Sequence, residues 1–282
     1  MVRTDDRDAA APPPAGPPRR RRTQRVPVPL LLPAVAGLAF LVLPLAGLVI
    51  RAPWGALGQR LTEPGALTAL RLSLQTASVA TVVCLALGVP LAWLLARVEF
   101  PGRRVVRALV TVPLVLPPVV GGVALLLVFG RRGLIGAWLD TTFGITLPFT
   151  TVGVVVAEAF VAMPFLVIAV EGALRGADTR FEEAAATLGA GRWTTFTHVT
   201  LPLVAPGIAA GAVLCWARAL GEFGATITFA GNYPGITQTM PLAVYQTMEG
   251  GDLSGAVVLS LILLTVSVTI LAALRDKWIT SG

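Results

Sequence analysis

Ionisable side chains are scarce inside the apolar runs of this chain, so the few that occur there raise the first question about chemistry. Glu158 lies in one such run, and Arg218 and Glu222 lie in another. A charge held in hydrocarbon is costly and marks either a working position or a neutralised pair. Arg218 and Glu222 are four residues apart, which places them on one helix face where each offsets the other. The same spacing permits a second arrangement: Arg218 and the hydroxyls of Thr226 and Thr228 line a path that an oxyanion crosses, and Glu222 holds the arginine in place. Gly221 and Gly224 flank the glutamate and would let a neighbouring helix approach closely. Both arrangements stand at this point.

A second concentration of polar groups lies at Arg175–Gly207, RGADTRFEEAAATLGAGRWTTFTHVTLPLVAPG, the longest polar interruption after the N-terminal tail. Phe181–Leu188 is rich in helix formers. It follows Asp178 and Thr179 as candidate N-caps and places Glu182 and Glu183 in the first turns, where the helix dipole favours anions. Gly189 and Gly191 suit a left-handed C-cap, Trp193–Val199 forms a second helical stretch, and Leu201-Pro202 ends it. The segment reads as helix, glycine turn, helix, stop. On its residues alone the segment is either an ordinary solvated amphipathic loop or the surface through which a partner on the aqueous side reads the protein.

The elements that carry these groups follow from composition. Hydrophobic residues make up 55% of the 282 and charged residues 13%, and mean hydropathy is +0.79. A soluble domain averages about 25% charged residues, so this is a membrane protein. The net charge of +7 does not imply nucleic acid, because the arginines sit in the tail and in loops beside apolar spans, where positive charge marks the cytoplasmic side. Cys84 and Cys215 both fall within predicted spans and form no disulfide or metal pattern.

Residues 1–25 contain APPPAGPP and RRRR, a composition expected to stay disordered as a cytoplasmic tail. Residues 26–66 read as a first transmembrane helix and outer loop, and residues 67–282 as a core containing the polar loop 175–202. Val28–Ile50 exceeds the ~7–15 residues of a signal-peptide core and reads as an uncleaved span. Six windows reach the ~20 apolar residues that a spanning helix needs: Val28–Ile50, Leu72–Leu95, Leu109–Phe129, Thr151–Val170, Leu203–Ala230 and Ala256–Leu274. Basic residues at Arg97, Arg103, Arg104, Arg107, Arg175, Arg180, Arg192, Arg275 and Lys277 place both termini in the cytoplasm. Arg51, Arg60, Arg71, Arg131 and Arg132 run against that bias. The third window holds Pro113, Pro117, Pro118, Gly121 and Gly122. Such backbone survives at membrane depth where protein or a water-filled cavity satisfies it, so this span faces a translocation path or a dimer interface, or is a kinked structural helix.

No phosphate-binding loop of the form GxxxxGK followed by Ser or Thr occurs, and Lys277 is the sole lysine. Any energy source must be another polypeptide. His198 is the sole histidine and lies in the polar loop, which excludes a histidine-based metal cluster or triad. An intramembrane enzyme would have to rely on a carboxylate pair such as Glu158 with Glu222. An autonomous channel or ion-driven exchanger is the other alternative.

The polar loop carries a resemblance. Glu183-Ala184-Ala185, Gly189, Val199 and Leu201-Pro202 match the EAA loop of bacterial ABC importer permeases in type and spacing, with Val199 where isoleucine is more usual. A narrower resemblance lies in ARALGEFGATITFAGNYPGITQTMPLAVY, Ala217–Tyr245, which looks like the fifth span and following loop of molybdate permeases. Its LGEFG core is also similar to sulfate and thiosulfate permeases, while ATITFAG and Thr-Met-Pro-Leu sit nearer the molybdate group. The broad resemblance covers most of Leu67–Leu274.

It implies an all-α polytopic membrane protein of six transmembrane helices with the type I ABC importer permease fold, in the bacterial cytoplasmic membrane. It further implies a transport subunit, not itself an enzyme and binding no cofactor of its own, that imports molybdate or tungstate, with sulfate as the alternative. The implied partners are a second permease copy in a homodimer, two cytoplasmic ABC ATPases carrying ATP and Mg, an extracytoplasmic oxyanion-binding protein and the bilayer. Glu182, Glu183, Ala184, Ala185, Gly189, Leu201 and Pro202 would couple to the ATPase. Arg218, Glu222, Thr226 and Thr228 would lie on the substrate path.

Overall fold

A chain in hydrocarbon must satisfy each backbone N–H and C=O within itself, and long apolar runs do so as helices. The computed structural model describes residues 28–56, 58 and 63–279, and every regular element among them is helical. The tail expected to be disordered over 1–25 lies outside the described residues. The first unit, residues 1–47, contains most of α1 (Val28–Ile50). That helix is long and apolar enough to cross a membrane.

The second unit begins at Leu48. A 3-10 turn at Trp54–Ala56 precedes α2 (Pro64–Arg97), α3 (Arg103–Val115), α4 (Pro118–Phe129), α5 (Gly136–Phe143) and α6 (Thr151–Gly176). There follow α7 (Arg180–Thr187), α8 (Arg192–Thr195), α9 (Leu201–Leu220), α10 (Gly224–Phe229), α11 (Met240–Glu249) and α12 (Leu253–Ile279). Among the described residues five helices, or six if the bent pair α3–α4 is one crossing, meet the length and composition of a span.

Helix α6 is the centre of this unit. Its Ala162, Leu166, Val170 and Leu174 pack with Cys84 and Leu95 of α2 and with Cys215 and Ala219 of α9. Lipid is as apolar as leucine, so close packing through small residues must hold such helices together. At Gly207 of α9 an added Cβ would collide with the Cβ of Ala173. A second cluster joins Leu125 of α4, Ala157 and Val161 of α6, and Ala225 and Phe229 of α10. A third joins Ala69 of α2 to Met240 of α11 and Val258 and Ile262 of α12.

Three expectations need correction. The span expected over Leu109–Phe129 is not one helix: α3 and α4 meet at a 118° bend. Leu116 and Pro117 between them are extended, with ψ of 131° each. Two consecutive prolines cause this, since each pushes the residue before it out of the helical region and neither has an N–H to donate.

The span expected over Leu203–Ala230 also breaks. Helix α9 ends at Leu220 and α10 starts at Gly224, because Gly221 and Gly224 are poor helix residues and the Glu222 carboxylate accepts from Ala225 N at 2.9 Å, capping α10 in place of a continuing turn.

Finally, Leu201-Pro202 does not stop the second helical stretch. A π turn at Phe196–Thr200 joins α8 to α9, giving a continuous helical run Arg192–Leu220. The wider turn carries Leu201 N to Phe196 O and moves the carbonyl that the proline ring would otherwise strike.

Candidate functional site

The polar loop folds as read at its centre. Helix α7 carries Glu182 and Glu183 in its first turn, and Gly189 follows in the left-handed region at φ 84°. Gly191 instead has φ −68° and ψ 159°. Of the candidate caps, Thr179 is helical and its hydroxyl caps no backbone N–H, whereas Asp178 Oδ1 accepts from Arg180 N at 3.0 Å.

The two adjacent glutamates point to different surroundings. Glu182 is drawn inward: Arg97 Nη2 at the end of α2 donates to its Oε1 at 2.9 Å, and Thr200 Oγ1 donates to the same oxygen at 3.0 Å. Glu183 is exposed, and Thr179 Oγ1 donates to its Oε1 at 3.4 Å. Ala184 is exposed and Ala185 half-buried, while Leu201 is half-buried and Pro202 exposed. The loop therefore has one carboxylate tied to the bundle and one presented outward.

The interior charges form a second constellation. Arg218 Nη2 lies 2.6 Å from Glu222 Oε2; the arginine side chain is 27% exposed and the glutamate 1%. Glu222 thus binds Arg218 with one oxygen and the start of α10 with the other. Helix α10 in turn has little freedom. A Cβ on Gly224 would meet Pro118 Cβ at 2.8 Å, and one on Gly122 would meet Thr228 Cβ at 2.6 Å, so the bend between α3 and α4 and the break after α9 are wedged together. Thr228 Oγ1 donates to Gly224 O at 2.8 Å, and Thr226 is fully buried with an unpartnered hydroxyl. The structure brings Arg218 and Glu222 together, but neither threonine hydroxyl bonds the arginine.

Several working contacts had no signal in the sequence. Glu158, 1% exposed, accepts from Thr76 Oγ1 of α2 at 2.9 Å, a pairing across 82 positions. Glu171 at the end of α6 is held by Arg107, 64 positions away, at 2.8 Å and by Arg175 at 2.7 Å; only the second pair, four residues apart, has a spacing that sequence could show. Arg103 donates to Leu95 O, and Arg107 reaches the same carbonyl at 3.3 Å. These arginines complement the negative end of the α2 dipole and tie α2, α3 and α6 together. Charge bias had marked them only as indicators of sidedness.

Against known proteins, the family described as "Binding-protein-dependent transport system inner membrane component" matches residues 88–281. The chain is 50% identical over 236 residues to the molybdenum transport system permease protein ModB of Mycobacterium tuberculosis, covering 84% of this chain and 89% of that one. It is 47% identical over 213 residues to the Escherichia coli protein of the same name, covering 75% and 92%. The Escherichia coli sulfate transport system permease protein CysT is 36% identical over 238 residues, covering 83% and 86%. Among solved structures, a bacterial ABC transporter involved in the import of the acidic polysaccharide alginate superposes with a TM-score of 0.72 at 18% identity, covering 89% of this chain and 93% of that one.

Proposed function

This chain belongs to the family of binding-protein-dependent transport system inner membrane components, and from that premise we infer that it is the permease of an ATP-driven molybdate importer. The observation that carries the substrate is the higher identity to molybdenum permeases than to sulfate permeases over similar lengths. Two copies form the pore as a homodimer, with both termini of each in the cytoplasm of a bacterium. Each copy docks one ABC ATPase, which holds ATP and Mg, and a soluble binding protein delivers the anion from the outer side. The fold shared with a solved alginate importer supports this kind of assembly; that importer has been solved in complex with its own periplasmic protein.

In this reading the polar loop is the coupling element. Exposed Glu183, beside Ala184 and Ala185, meets a basic group of the ATPase, and the turn at Gly189 sets the loop's shape. Glu182, fixed to Arg97 and Thr200, passes the loop's displacement to α2 and α9. When ATP closes the ATPase pair, the two loops move together and the pore opens outward, a rocking motion about a fixed site.

The translocation step falls to Arg218. A guanidinium presents a planar fork of donors that suits a tetrahedral oxyanion, and Arg218 retains partial exposure while Glu222 has almost none. As the dianion takes the arginine, Glu222 keeps its bond to Ala225 N and remains in place at the start of α10. Thr226 and Thr228 on α10 stand beside this exchange.

Cellular molybdenum, measured by elemental mass spectrometry at limiting molybdate with and without excess sulfate, tests the assignment. Deletion of the protein should lower molybdenum, and complementation should restore it despite sulfate. Unchanged molybdenum together with reduced labelled-sulfate uptake would transfer the substrate to sulfate and leave the permease reading standing.

A further inference from the structure

Beside the α7–α8 loop the bundle leaves two cavities that share a wall. One, about 400 Å³, is lined by Pro90, Trp93, Arg192, Trp193 and Phe196. The other, also about 400 Å³, lies against Arg97, Glu99, Glu182, Ala186, Arg192 and Thr200, with Trp93 and Phe196 again in its wall.

The first cavity is aromatic. Phe196 stands edge-on to Trp93 with ring centroids 5.9 Å apart and tilted against Trp193 at 5.9 Å, and Trp193 is 75% exposed. The second is charged. Arg97 and Glu182 neutralise each other at 2.9 Å, whereas Arg192 and Glu99 are exposed and their side chains engage no partner among the described residues. Arg97 Nε is enclosed and also lacks an acceptor.

A ligand that suits both cavities needs an apolar limb, an acceptor for a guanidinium and a donor for a carboxylate. Depth narrows the choice further. Trp93 lies one helical turn before Arg97, the last residue of α2, so the groove opens where spanning helix gives way to arginine-rich loop. Tryptophan and arginine at that level mark a membrane–water interface.

We propose that the paired cavities bind a phospholipid with an ethanolamine headgroup: an acyl chain lies along Trp93, Trp193 and Phe196, the phosphate on Arg192 and the ammonium on Glu99. The four charges of the polar cavity, Arg97, Arg192, Glu99 and Glu182, sum to zero. That balance matches a zwitterion and gives no advantage to a lipid of net negative charge. A choline headgroup has no N–H to offer Glu99. Glu182 and Ala186 of α7 face the polar cavity while Glu183 is exposed, so the lipid sits between the loop and the bundle; its influence on coupling rests on the function proposed above, its binding does not.

The test is lipid retention. The assembled transporter is reconstituted in nanodiscs with equal amounts of ethanolamine, choline and glycerol phospholipids of identical chains, and bound lipid is counted by native mass spectrometry. The wild type should retain the ethanolamine lipid over both others by roughly tenfold, about the worth of one charge-assisted hydrogen bond. Glu99→Gln should bring the ethanolamine and choline lipids level, and Arg192→Gln should lower retention of all three, with melting temperatures unchanged because both side chains are exposed. Equal retention by the wild type, or preference for the glycerol lipid, would overturn the proposal. So would loss of the ATPase from Arg192→Gln with lipid retention intact, which would assign this surface to the ATPase.

Discussion

The glutamates of the polar loop and the glutamates of the bundle interior are the same residue type under opposite constraints. On α7, Glu182 and Glu183 are adjacent and water reaches both; a single contact set, from Arg97 and Thr200, separates the anchored one from the free one. In the interior, Glu158 and Glu222 are each 1% exposed, and each depends on groups brought from other helices or across a helix break. A carboxylate near water can lose a partner and be hydrated, whereas one in the bundle cannot. The loop can therefore change partners during a transport cycle at little cost to the fold, and the interior pair changes partners only if the replacement also carries the right charge.

Substitutions can break or sharpen that contrast. Glu222→Ala should have the largest effect, since it strips Arg218 of its counter-charge and α10 of its cap; losing one partner of a buried pair costs about 3–5 kcal/mol. Purified transporter should melt at much lower temperature, and Glu222→Gln, which keeps an acceptor for Ala225 N, should recover part of the loss. Equal melting of Glu222→Ala and wild type would erase the distinction between interior and loop.

Glu182→Ala comes next, with a loss of about 1 kcal/mol for a partly exposed pair. Its signature is a smaller melting shift accompanied by reduced coupling of ATP hydrolysis to uptake. Glu183→Arg should be the mildest for the fold, within about 0.5 kcal/mol of wild type, yet should reduce co-purification of the ATPase by roughly tenfold or more. If the ATPase remains bound to Glu183→Arg and is lost from Glu182→Ala, the anchored and presented roles are reversed.

The loop was legible because its signals are local. Glutamates in a first turn, a glycine in the left-handed region and small residues between them act within one or two turns, and α7 with Gly189 formed accordingly. Local spacing also placed Arg218 beside Glu222. The same reasoning ran Leu203–Ala230 through as one span, because hydropathy averages over a window and does not weigh the Gly221–Gly224 break against it, whereas Pro117-Pro118 had already marked the third window as interrupted. Leu201-Pro202 misled in the other direction, since a proline stop presumes α geometry and the π turn at Phe196–Thr200 removes the clash. Glu158 with Thr76, and Glu171 with Arg107, lie 82 and 64 positions apart; no periodicity within a helix encodes such contacts.

The π turn has a mechanical consequence. By keeping α8 and α9 one continuous run of 29 residues from Arg192 to Leu220, it makes a helical lever of about 40 Å at ~1.5 Å per residue. The α7 loop grips one end and the Arg218–Glu222 junction lies at the other. Tilting such a lever by about 5° sweeps its far end through about 3.5 Å over that length, more than the 2.6 Å that separates the arginine from its glutamate.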